Sequence, residues 1–400
     1  MARVIPIAQA GHSRLNGTQE FRSQPPLSLY IHIPWCVQKC PYCDFNSHEA
    51  HGRIPENEYV AALIADLESA LPLIWGRRVS TFFIGGGTPS LLGGQALDTL
   101  LTAIRSRVVL LPDAEITLEA NPGTAEAERF AAYREAGVNR LSLGIQSFNP
   151  RHLKALGRIH DEHEAKAAIA LAARHFERFN LDLMYGLPGQ TMAEALSDLE
   201  TAIAFAPRHL SCYQLTLEPN TRFAAEPPRL PESDLCADMQ EAIESRLASA
   251  GYLHYETSAF AQPGYQCQHN LNYWLFGDYR GIAPGAHGKL SFPDRIVRQV
   301  RWREPRTYMD QALSGHACSN ESDVPLKARP FEYMLNALRL PGGFELSRFM
   351  ERTGLTVAAI QQALSKAESM QLIERDLHRV WPTPLGLDFL SDLQGLFLSD

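Results

Sequence analysis

The sequence lacks the marks of a membrane-spanning, secreted or generally nucleic-acid-binding protein. No apolar run in its 400 residues approaches the ~18–20 residues that a membrane span needs. The N-terminus has no apolar segment of the ~7–15 residues that a secretory signal contains. Lys and Arg number 37 against 45 Asp and Glu, so no excess of positive charge is available for nucleic-acid phosphates. We therefore expect a cytoplasmic protein that binds no nucleic acid and meets a membrane only peripherally, through a partner.

Cysteine is also scarce. The chain has seven cysteines, too few for a disulfide scaffold in a chain of this length, and the number is odd. Four lie far apart and are expected to be buried as small apolar side chains: Cys212, Cys236, Cys267 and Cys318. The other three, Cys36, Cys40 and Cys43, fall within eight residues. In a reducing compartment such a group is more often metal-binding or catalytic than disulfide-bonded, so we expect the function there.

From residue 27 onward, short apolar runs alternate with stretches of helical periodicity. This alternation predicts βαβ units and an α/β fold with parallel strands. Periodicity does not distinguish an open doubly wound sheet from a barrel-like closure, but in both the chemistry gathers at the carboxyl ends of the strands. The six predicted strands cover residues 27–33, 79–85, 115–120, 139–145, 178–186 and 209–217.

Composition and pattern divide the chain into four parts. Residues 1–26 carry no sustained period and are expected to form a flexible tail. Residues 27–222 hold the strand–helix alternation, and residues 223–325 form an accessory α+β region rich in Gly and aromatic residues. Residues 326–400 are mostly helical and resemble a small winged-helix-like domain. The same pattern also fits a helical cap that packs on the sheet.

The cysteine group has a C-x3-C-x2-C spacing directly after the first predicted strand. Pro41 disfavours a helical conformation at Cys40, so a tight loop is expected. A structural zinc site usually has four Cys or His ligands, and a cubane iron–sulfur cluster is normally held by four thiolates. Three interpretations therefore remain: an iron–sulfur cluster with one open iron, zinc with a distant histidine, or a purely structural loop.

The second predicted strand ends in a glycine-rich turn, Gly85-Gly86-Gly87-Thr88-Pro89-Ser90. Glycines at a strand end let the backbone approach a ligand closely, and such a turn can cradle an anionic group. An ordinary tight turn has the same composition. Because this turn follows the strand next to the cysteine loop, both are expected at the same end of a parallel sheet.

Taken together, CxxxCxxC after strand one, GGGTPS after strand two and the β/α alternation resemble a radical S-adenosylmethionine (SAM) protein. The wider strings LYIHIPWC, CPYCDFNSH, LEANPGT, RLSLGIQSFN, LGRIH and DLMYGLPGQT are similar to the oxygen-independent coproporphyrinogen III oxidase family, and within it to the HemW-type heme chaperones. The resemblance covers residues 27–400. It implies a partial (β/α)6 radical SAM barrel with an accessory α+β region and a mostly helical C-terminal domain.

The same resemblance implies roles for individual residues. Cys36, Cys40 and Cys43 would bind a [4Fe–4S] cluster whose open iron takes the amino and carboxylate groups of SAM. The residues expected to contact SAM are Tyr30, Gly86, Gly87, Thr88, Glu119, Gln146, Arg158 and Asp182. His32 lies on the same strand face as Tyr30 and is either a proton donor or a hydrogen-bonded core histidine.

Two features favour the chaperones over the oxidases within this family. The oxidases carry a further cysteine two positions after the triplet, and here that position is Phe45. The string His269-Asn270-Leu271-Asn272-Tyr273-Trp274 resembles the HNxxYW heme-binding motif of the chaperones. A neutral imidazole is a common axial ligand of heme iron, so His269 is the heme candidate, although a lone histidine near aromatic rings is often structural.

We therefore expect a heme chaperone that transfers heme to acceptor hemoproteins, as a monomer or homodimer. His287 is a weaker candidate for a second heme ligand, and Cys267 is close enough in sequence to matter if attachment involved a thiol. The alternative is an oxygen-independent coproporphyrinogen III dehydrogenase that decarboxylates propionates oxidatively. Phe45 counts against that activity.

Overall fold

Parallel strands and helices alternate through the first half of the chain. The computed structural model describes residues 24–124 and 127–398, so most of the expected N-terminal tail, residues 1–23, lies outside the described residues. The elements of this half are β1 (Leu27–Ile33), β2 (Trp35–Cys36), β3 (His48–Glu49), α1 (Glu56–Ile74), β4 (Arg78–Gly86), α2 (Gly94–Arg105), β5 (Val109–Ala120), α3 (Ala127–Ala136), β6 (Arg140–Gln146), α4 (Pro150–Ala155), α5 (Glu162–His175), β7 (Arg178–Tyr185), α6 (Met192–Ala204) and β8 (His209–Gln214).

Local sequence explains where several of these helices begin. Helix α5 starts after a capping box in which the Asp161 side chain accepts from the backbone N–H of Glu164, while Glu164 accepts from Asp161. Helix α6 starts in the same way with Thr191 and Glu194. Each box satisfies two backbone donors that a helix start leaves without partners.

The region after β8 adds strands to both edges of the same sheet. Its elements are α7 (Arg222–Ala225), α8 (Ser233–Ser249), β9 (Leu253–Glu256), β10 (Ala259–Ala261), α9 (Gln268–Trp274), β11 (Asp278–Ile282), β12 (His287–Ser291), β13 (Ile296–Arg301), α10 (Pro305–Leu313) and β14 (Cys318–Asp323). Strand β11 pairs parallel with β1, whereas β12, β13 and β14 continue antiparallel. At the other edge β10 pairs antiparallel with β8.

The C-terminal part is mostly helical with a small antiparallel sheet. Its elements are α11 (Arg329–Ala337), β15 (Phe344–Glu345), α12 (Leu346–Thr353), α13 (Gln361–Ser369), β16 (Ile373–Arg375), β17 (Arg379–Pro382), α14 (Pro384–Asp388) and α15 (Leu390–Gly395). Its three strands pair antiparallel in the order β15-β17-β16. A separate core centred on Tyr333, Phe344 and Phe349 holds this part together and includes Phe276 from the accessory region.

The six predicted parallel strands are confirmed, and they form the middle of one mixed sheet. Within the described residues the sheet has twelve strands in the order β14-β13-β12-β11-β1-β4-β5-β6-β7-β8-β10-β9, and its two edge strands do not pair with each other. The fold is therefore α/β with a partial barrel and no closure. Among residues 24–124 and 127–398, no helix is both long and apolar enough to cross a membrane.

The two faces of the parallel strands differ in polarity. One face is apolar and packs against the helices in a single large core, with Leu29 and Ile31 of β1, Ile84 of β4 and Leu118 of β5 all fully buried. Because strand side chains alternate between faces, the intervening residues point to the opposite side. That side lines a cavity.

Candidate functional site

The cavity on the polar face of the sheet has a volume of about 700 Å³, within the ~300–1,000 Å³ range of small-molecule and cofactor sites. Alternate residues of successive strands line it, such as Thr117 and Glu119 of β5 and Asn180 and Asp182 of β7. All twelve predicted cluster, SAM and heme residues line this cavity: Tyr30, Cys36, Cys40, Cys43, Gly86, Gly87, Thr88, Glu119, Gln146, Arg158, Asp182 and His269.

The three cysteines lie at the carboxyl-end mouth of this cavity. All three are free thiols, and hydrogen-bond donors approach two of the sulfurs. Arg158 Nη1 lies 3.7 Å from Cys40 Sγ, and Ser47 Oγ lies 3.8 Å from Cys43 Sγ. Burial raises the pKa of the Cys36 and Cys43 thiols, so forming thiolates there needs a positive partner. Three thiols with nearby donors suit an iron–sulfur cluster, whose potential depends on hydrogen bonds to sulfur.

The zinc interpretation gains no support from the geometry. A single zinc ion needs all its ligand atoms at ~2.0–2.3 Å from one point. In the described part of the chain, no group of three or more Cys, His, Asp or Glu side chains is arranged to hold a metal ion. A cubane differs because each thiolate binds a different iron.

Glycines in the turn after β4 are required by close packing. Gly86 has a φ of 117°, and a Cβ there would lie 2.5 Å from the His32 ring. A Cβ at Gly87 would lie 2.7 Å from the carbonyl oxygen of Trp35. The turn therefore places the backbone directly against the first strand and the cysteine loop.

The amides of this turn already have partners. Gly86 N–H donates to Glu119 Oε2 at 3.0 Å, Gly87 N–H to the Ile33 carbonyl and Thr88 N–H to the Trp35 carbonyl, both at 2.7 Å. Cradling an anion through these amides would require the bonds to break. The Thr88 hydroxyl, which lines the cavity, can accept a hydrogen bond from an amino group.

Two buried carboxylates, Glu119 and Asp182, face the cavity. Burial, with a smaller contribution from the Asp182 carboxylate, raises the pKa of Glu119 to about 8, and burial also raises the pKa of Asp182. Asp182 accepts hydrogen bonds from Ser142 and Asn180 at 3.0 and 2.7 Å, but neither carboxylate forms an ion pair with a described residue. An acidic, desolvated wall of this kind suits a positively charged ligand.

Arg158 and Gln146 complete the rim at the strand ends. Arg158 Nη2 donates to Asn121 Oδ1 at 2.7 Å and to the Gly144 carbonyl at 2.8 Å, which fixes the guanidinium beside the cysteine loop. Gln146 ends β6 with a φ of 68°, an uncommon conformation for a residue other than glycine. Strained backbone of this type is concentrated at binding sites.

His269 lies on α9 at the other end of the cavity. It is 1% exposed, and burial lowers its pKa to about 3, so the imidazole is neutral. Its Nδ1 is 2.8 Å from Thr81 Oγ1, whereas Nε2 is buried with no hydrogen-bond partner among the described residues. Phe83 stacks on the ring with a centroid distance of 5.0 Å. His269 lines the cavity, and a neutral imidazole with one unpartnered nitrogen fits a metal such as heme iron.

The remaining sequence candidates lie in less suitable positions. Both ring nitrogens of His32 are occupied, by Tyr30 Oη at 2.9 Å and the Asn46 carbonyl at 2.8 Å, which favours the structural role. His287 is exposed on β12 and does not line the cavity. Cys267 lines it, but its Sγ lies 3.5 Å from Glu115 Oε1 and burial raises the thiol pKa. Phe45 lies at the cavity mouth, 57% exposed.

Sequence reasoning missed several cavity residues that strand alternation could have found. Each lies two positions before a predicted site residue or turn glycine on the same strand face. These are Phe83, Thr117 and Asn180. Thr81, two positions before Phe83, is the partner of His269.

Comparisons with known proteins agree with this architecture. Residues 30–202 match the model of the Radical SAM superfamily, and residues 324–389 match that of the HemN C-terminal domain. In solved structures, coproporphyrinogen III oxidase (HemN) from Escherichia coli superposes with a TM-score of 0.79 and 24% identity, covering 94% of this chain and 90% of that one. That likeness establishes the fold alone.

Curated relatives match over almost the whole chain. The heme chaperone HemW of Escherichia coli (strain K12) is 52% identical over 378 residues, covering 94% of this chain and 99% of that protein. The heme chaperone HemW of Haemophilus influenzae is 48% identical with the same coverage. That of Lactococcus lactis is 34% identical and covers 94% and 98%. The chain therefore belongs to the HemW family within the radical SAM superfamily.

Proposed function

We propose that this protein is a cytoplasmic heme chaperone that binds heme through His269 and hands it to acceptor hemoproteins. The observation that carries the proposal is the unpartnered Nε2 of a buried, neutral His269 facing a 700 Å³ cavity. Family membership supports it, because the relatives that match over 94% of the chain are named heme chaperones. Tyr273, whose ring centroid lies 5.0 Å from that of His269, and Trp274 supply aromatic surface for a porphyrin.

A [4Fe–4S] cluster is proposed at Cys36, Cys40 and Cys43. The three thiols at the cavity mouth supply three of the four ligands that a cubane takes. Arg158 and Ser47 lie near two of the sulfurs and would stabilise negative charge there. One iron would then have no thiolate from these three cysteines and could take a ligand from the cavity.

SAM is proposed to bind between the cluster and the acidic wall. Glu119 and Asp182 form no ion pair with a described residue, and SAM carries a sulfonium and an amino group. The other proposed contacts are Tyr30, Gly86, Gly87, Thr88, Gln146 and Arg158. When bound to a reduced cluster, SAM can supply radical chemistry. The chain's own residues bind it, orient it and exclude water from the buried end of the cavity.

Direct handover can be distinguished from simple loss of heme by kinetics. Heme-loaded, cluster-reconstituted protein is mixed under anaerobic conditions with increasing concentrations of a heme-free b-type cytochrome. Apomyoglobin, which scavenges free heme, gives the spontaneous release rate. We expect transfer to the cytochrome to accelerate with its concentration and to exceed the scavenging rate. Transfer at the scavenging rate for every acceptor tested would contradict a chaperone function.

The same preparation also tests the enzymatic alternative. Coproporphyrinogen III is supplied with SAM and a reductant, and protoporphyrinogen formation is measured. We expect no decarboxylated product, because Phe45 stands where the oxidases have a further cysteine. Turnover of this substrate would replace the chaperone proposal with an enzyme of tetrapyrrole synthesis.

A further inference from the structure

A chain of buried hydrogen bonds leads away from the His269 imidazole. Thr81 Oγ1, on β4, lies 2.8 Å from His269 Nδ1 and donates to Ser28 Oγ of β1 at 2.7 Å. Ser28 Oγ also accepts from Asn272 Nδ2 at 2.7 Å. The Asn272 amide makes a second donation, to the Asp278 carbonyl at 2.9 Å. The chain thus connects two strands to the helix that carries His269.

Burial makes each of these bonds necessary. Ser28 is fully buried, Thr81 is 2% exposed and Asn272 is 7% exposed, so each polar atom has to find its partner inside the protein. Asn272 Nδ2 carries only hydrogens and must donate at both contacts. The helix that carries it is held as well, because Gly277 N–H donates to the Asn272 carbonyl at 2.7 Å.

The position of the Thr81 hydroxyl hydrogen determines the tautomer of His269. A neutral imidazole has one protonated nitrogen and one nitrogen with a lone pair. Because Thr81 Oγ1 gives its hydrogen to Ser28, it presents a lone pair to Nδ1. Nδ1 is then the protonated nitrogen, and Nε2 is the one with the lone pair. Nε2 is also the atom without a partner among the described residues.

We propose that Thr81 is a positioning residue that holds His269 in the Nδ1–H tautomer and so presents the Nε2 lone pair to heme iron. The inference rests on the proposed function, since heme is the ligand named there. Thr81 contacts His269 and not the heme. Phe83 and Tyr273 fix the plane of the ring, each with a centroid distance of 5.0 Å, and Thr81 fixes its proton. A hydrogen-bond acceptor at the nitrogen that does not bind the metal, here Nδ1, also makes a histidine ligand more basic.

The first test requires no heme. Full-length protein labelled with 15N-histidine is measured by NMR, and the His269→Ala variant identifies the His269 signals. We expect Nδ1 to carry the proton in the wild type. A protonated Nε2 would overturn the inference whether or not the protein binds heme, so this result is independent of the proposed function.

The second test compares Thr81→Val with Thr81→Ser. Valine removes the hydroxyl at nearly the same volume, whereas serine keeps it. Changes to the hydrogen-bond partners of metal ligands typically weaken binding by about 10–100-fold, and we expect a loss of this size in Thr81→Val. The iron–histidine stretching band of ferrous heme, measured by resonance Raman spectroscopy, should shift in Thr81→Val and be retained in Thr81→Ser.

The outcomes separate the two proposals. Wild-type affinity and an unshifted band in Thr81→Val would overturn the role of Thr81 and leave heme binding by His269 intact. Absence of His269-dependent heme binding in the wild type would overturn the proposed function, while the NMR measurement would still identify the tautomer. Thermal unfolding of both variants shows whether they fold. If Thr81→Val does not fold, the band in Thr81→Ser and the NMR result decide whether Thr81 has this role.

Discussion

At the scale of single residues, the site combines buried groups whose usual charges burial suppresses. Burial lowers the pKa of His269 to about 3, so the imidazole is neutral, and burial, with a smaller contribution from Asp182, raises the pKa of Glu119 to about 8. Both groups are poised for a ligand, His269 for a metal and Glu119 for a positive charge. The cavity therefore destabilises the ligand-free protein and favours the binding of a ligand that pairs with these groups.

Replacing Glu119 with Gln tests how much this buried carboxyl lowers the free energy of unfolding at different pH values. In the unfolded chain the Glu119 carboxyl loses its proton above about pH 4.5, but in the folded protein only above about pH 8. The stability that the protonated form contributes is therefore complete at low pH and is lost as pH rises toward 8. Each pKa unit corresponds to ~1.4 kcal/mol, so the free energy of unfolding is lower by about 3 kcal/mol at pH 7 than at low pH.

We expect ligand-free Glu119→Gln to be more stable than the wild type in urea at pH 7.5, with the difference disappearing near pH 5. Glu162→Gln, on the exposed surface of α5, is the control and should follow the wild type. If the free energy of unfolding depends on pH in the same way in the wild type and in Glu119→Gln, the assignment of a raised pKa to this carboxyl is contradicted.

At the scale of secondary-structure elements, a buried ion cluster joins α1 to the accessory strands. The Asp66 carboxylate accepts from Arg301 Nε at 3.1 Å, from Arg280 Nη2 at 3.3 Å and from Tyr308 Oη at 2.9 Å. These partners lie on β13, β11 and α10, so one side chain connects the first helix to three later elements. The accessory region is thereby attached to the barrel in a fixed position.

We expect Asp66→Ala to destabilise the protein by about 3–5 kcal/mol, because it leaves two arginines buried without their carboxylate. Glu58→Ala is a matched control, since Glu58 lies on the same helix and pairs with Arg306 at the surface. Exposed pairs contribute about 0–1 kcal/mol. Equal losses of unfolding free energy in the two variants, measured with denaturant, would contradict the role given to Asp66.

How far the sequence predicts this structure also depends on the element. The six parallel strands follow from local apolar runs and are confirmed, but β5 begins at Val109 rather than at residue 115. The addition of β9 to β14 at the sheet edges was not predicted, because pairing between distant segments leaves no local periodicity. The cluster and SAM residues could be expected around one cavity, because the carboxyl ends of parallel strands lie at the same edge of a sheet. That α9 faces the same cavity depends on tertiary packing.

At the scale of the whole molecule, the C-terminal hydrophobic core extends to the helix that carries the heme candidate. Phe276, two residues after Trp274, packs against Tyr333 of the C-terminal core with a centroid distance of 5.5 Å. Arg339 lies 4.3 Å from the Trp274 ring and also pairs with Glu256. The C-terminal part therefore supports the end of α9, and loosening it should affect the cavity.

Tyr333→Ala tests this connection. Removing a fully buried aromatic ring costs about 3–5 kcal/mol, and we expect faster proteolysis in residues 329–398 together with weaker heme binding. Leu377→Ala, 90% exposed between β16 and β17, is the control and should change neither. Unaltered heme affinity in a Tyr333→Ala protein with a loosened C-terminal part would separate that part from the heme site.

The most direct measurement of the central claim is a heme titration followed by absorbance on anaerobically cluster-reconstituted protein. The wild type is compared with His269→Ala and with His287→Ala, which removes an exposed histidine outside the cavity. We predict saturation near one heme per chain for the wild type and His287→Ala, and an affinity at least about tenfold lower, about 1.4 kcal/mol, for His269→Ala. Identical binding curves for the wild type and His269→Ala would contradict the account.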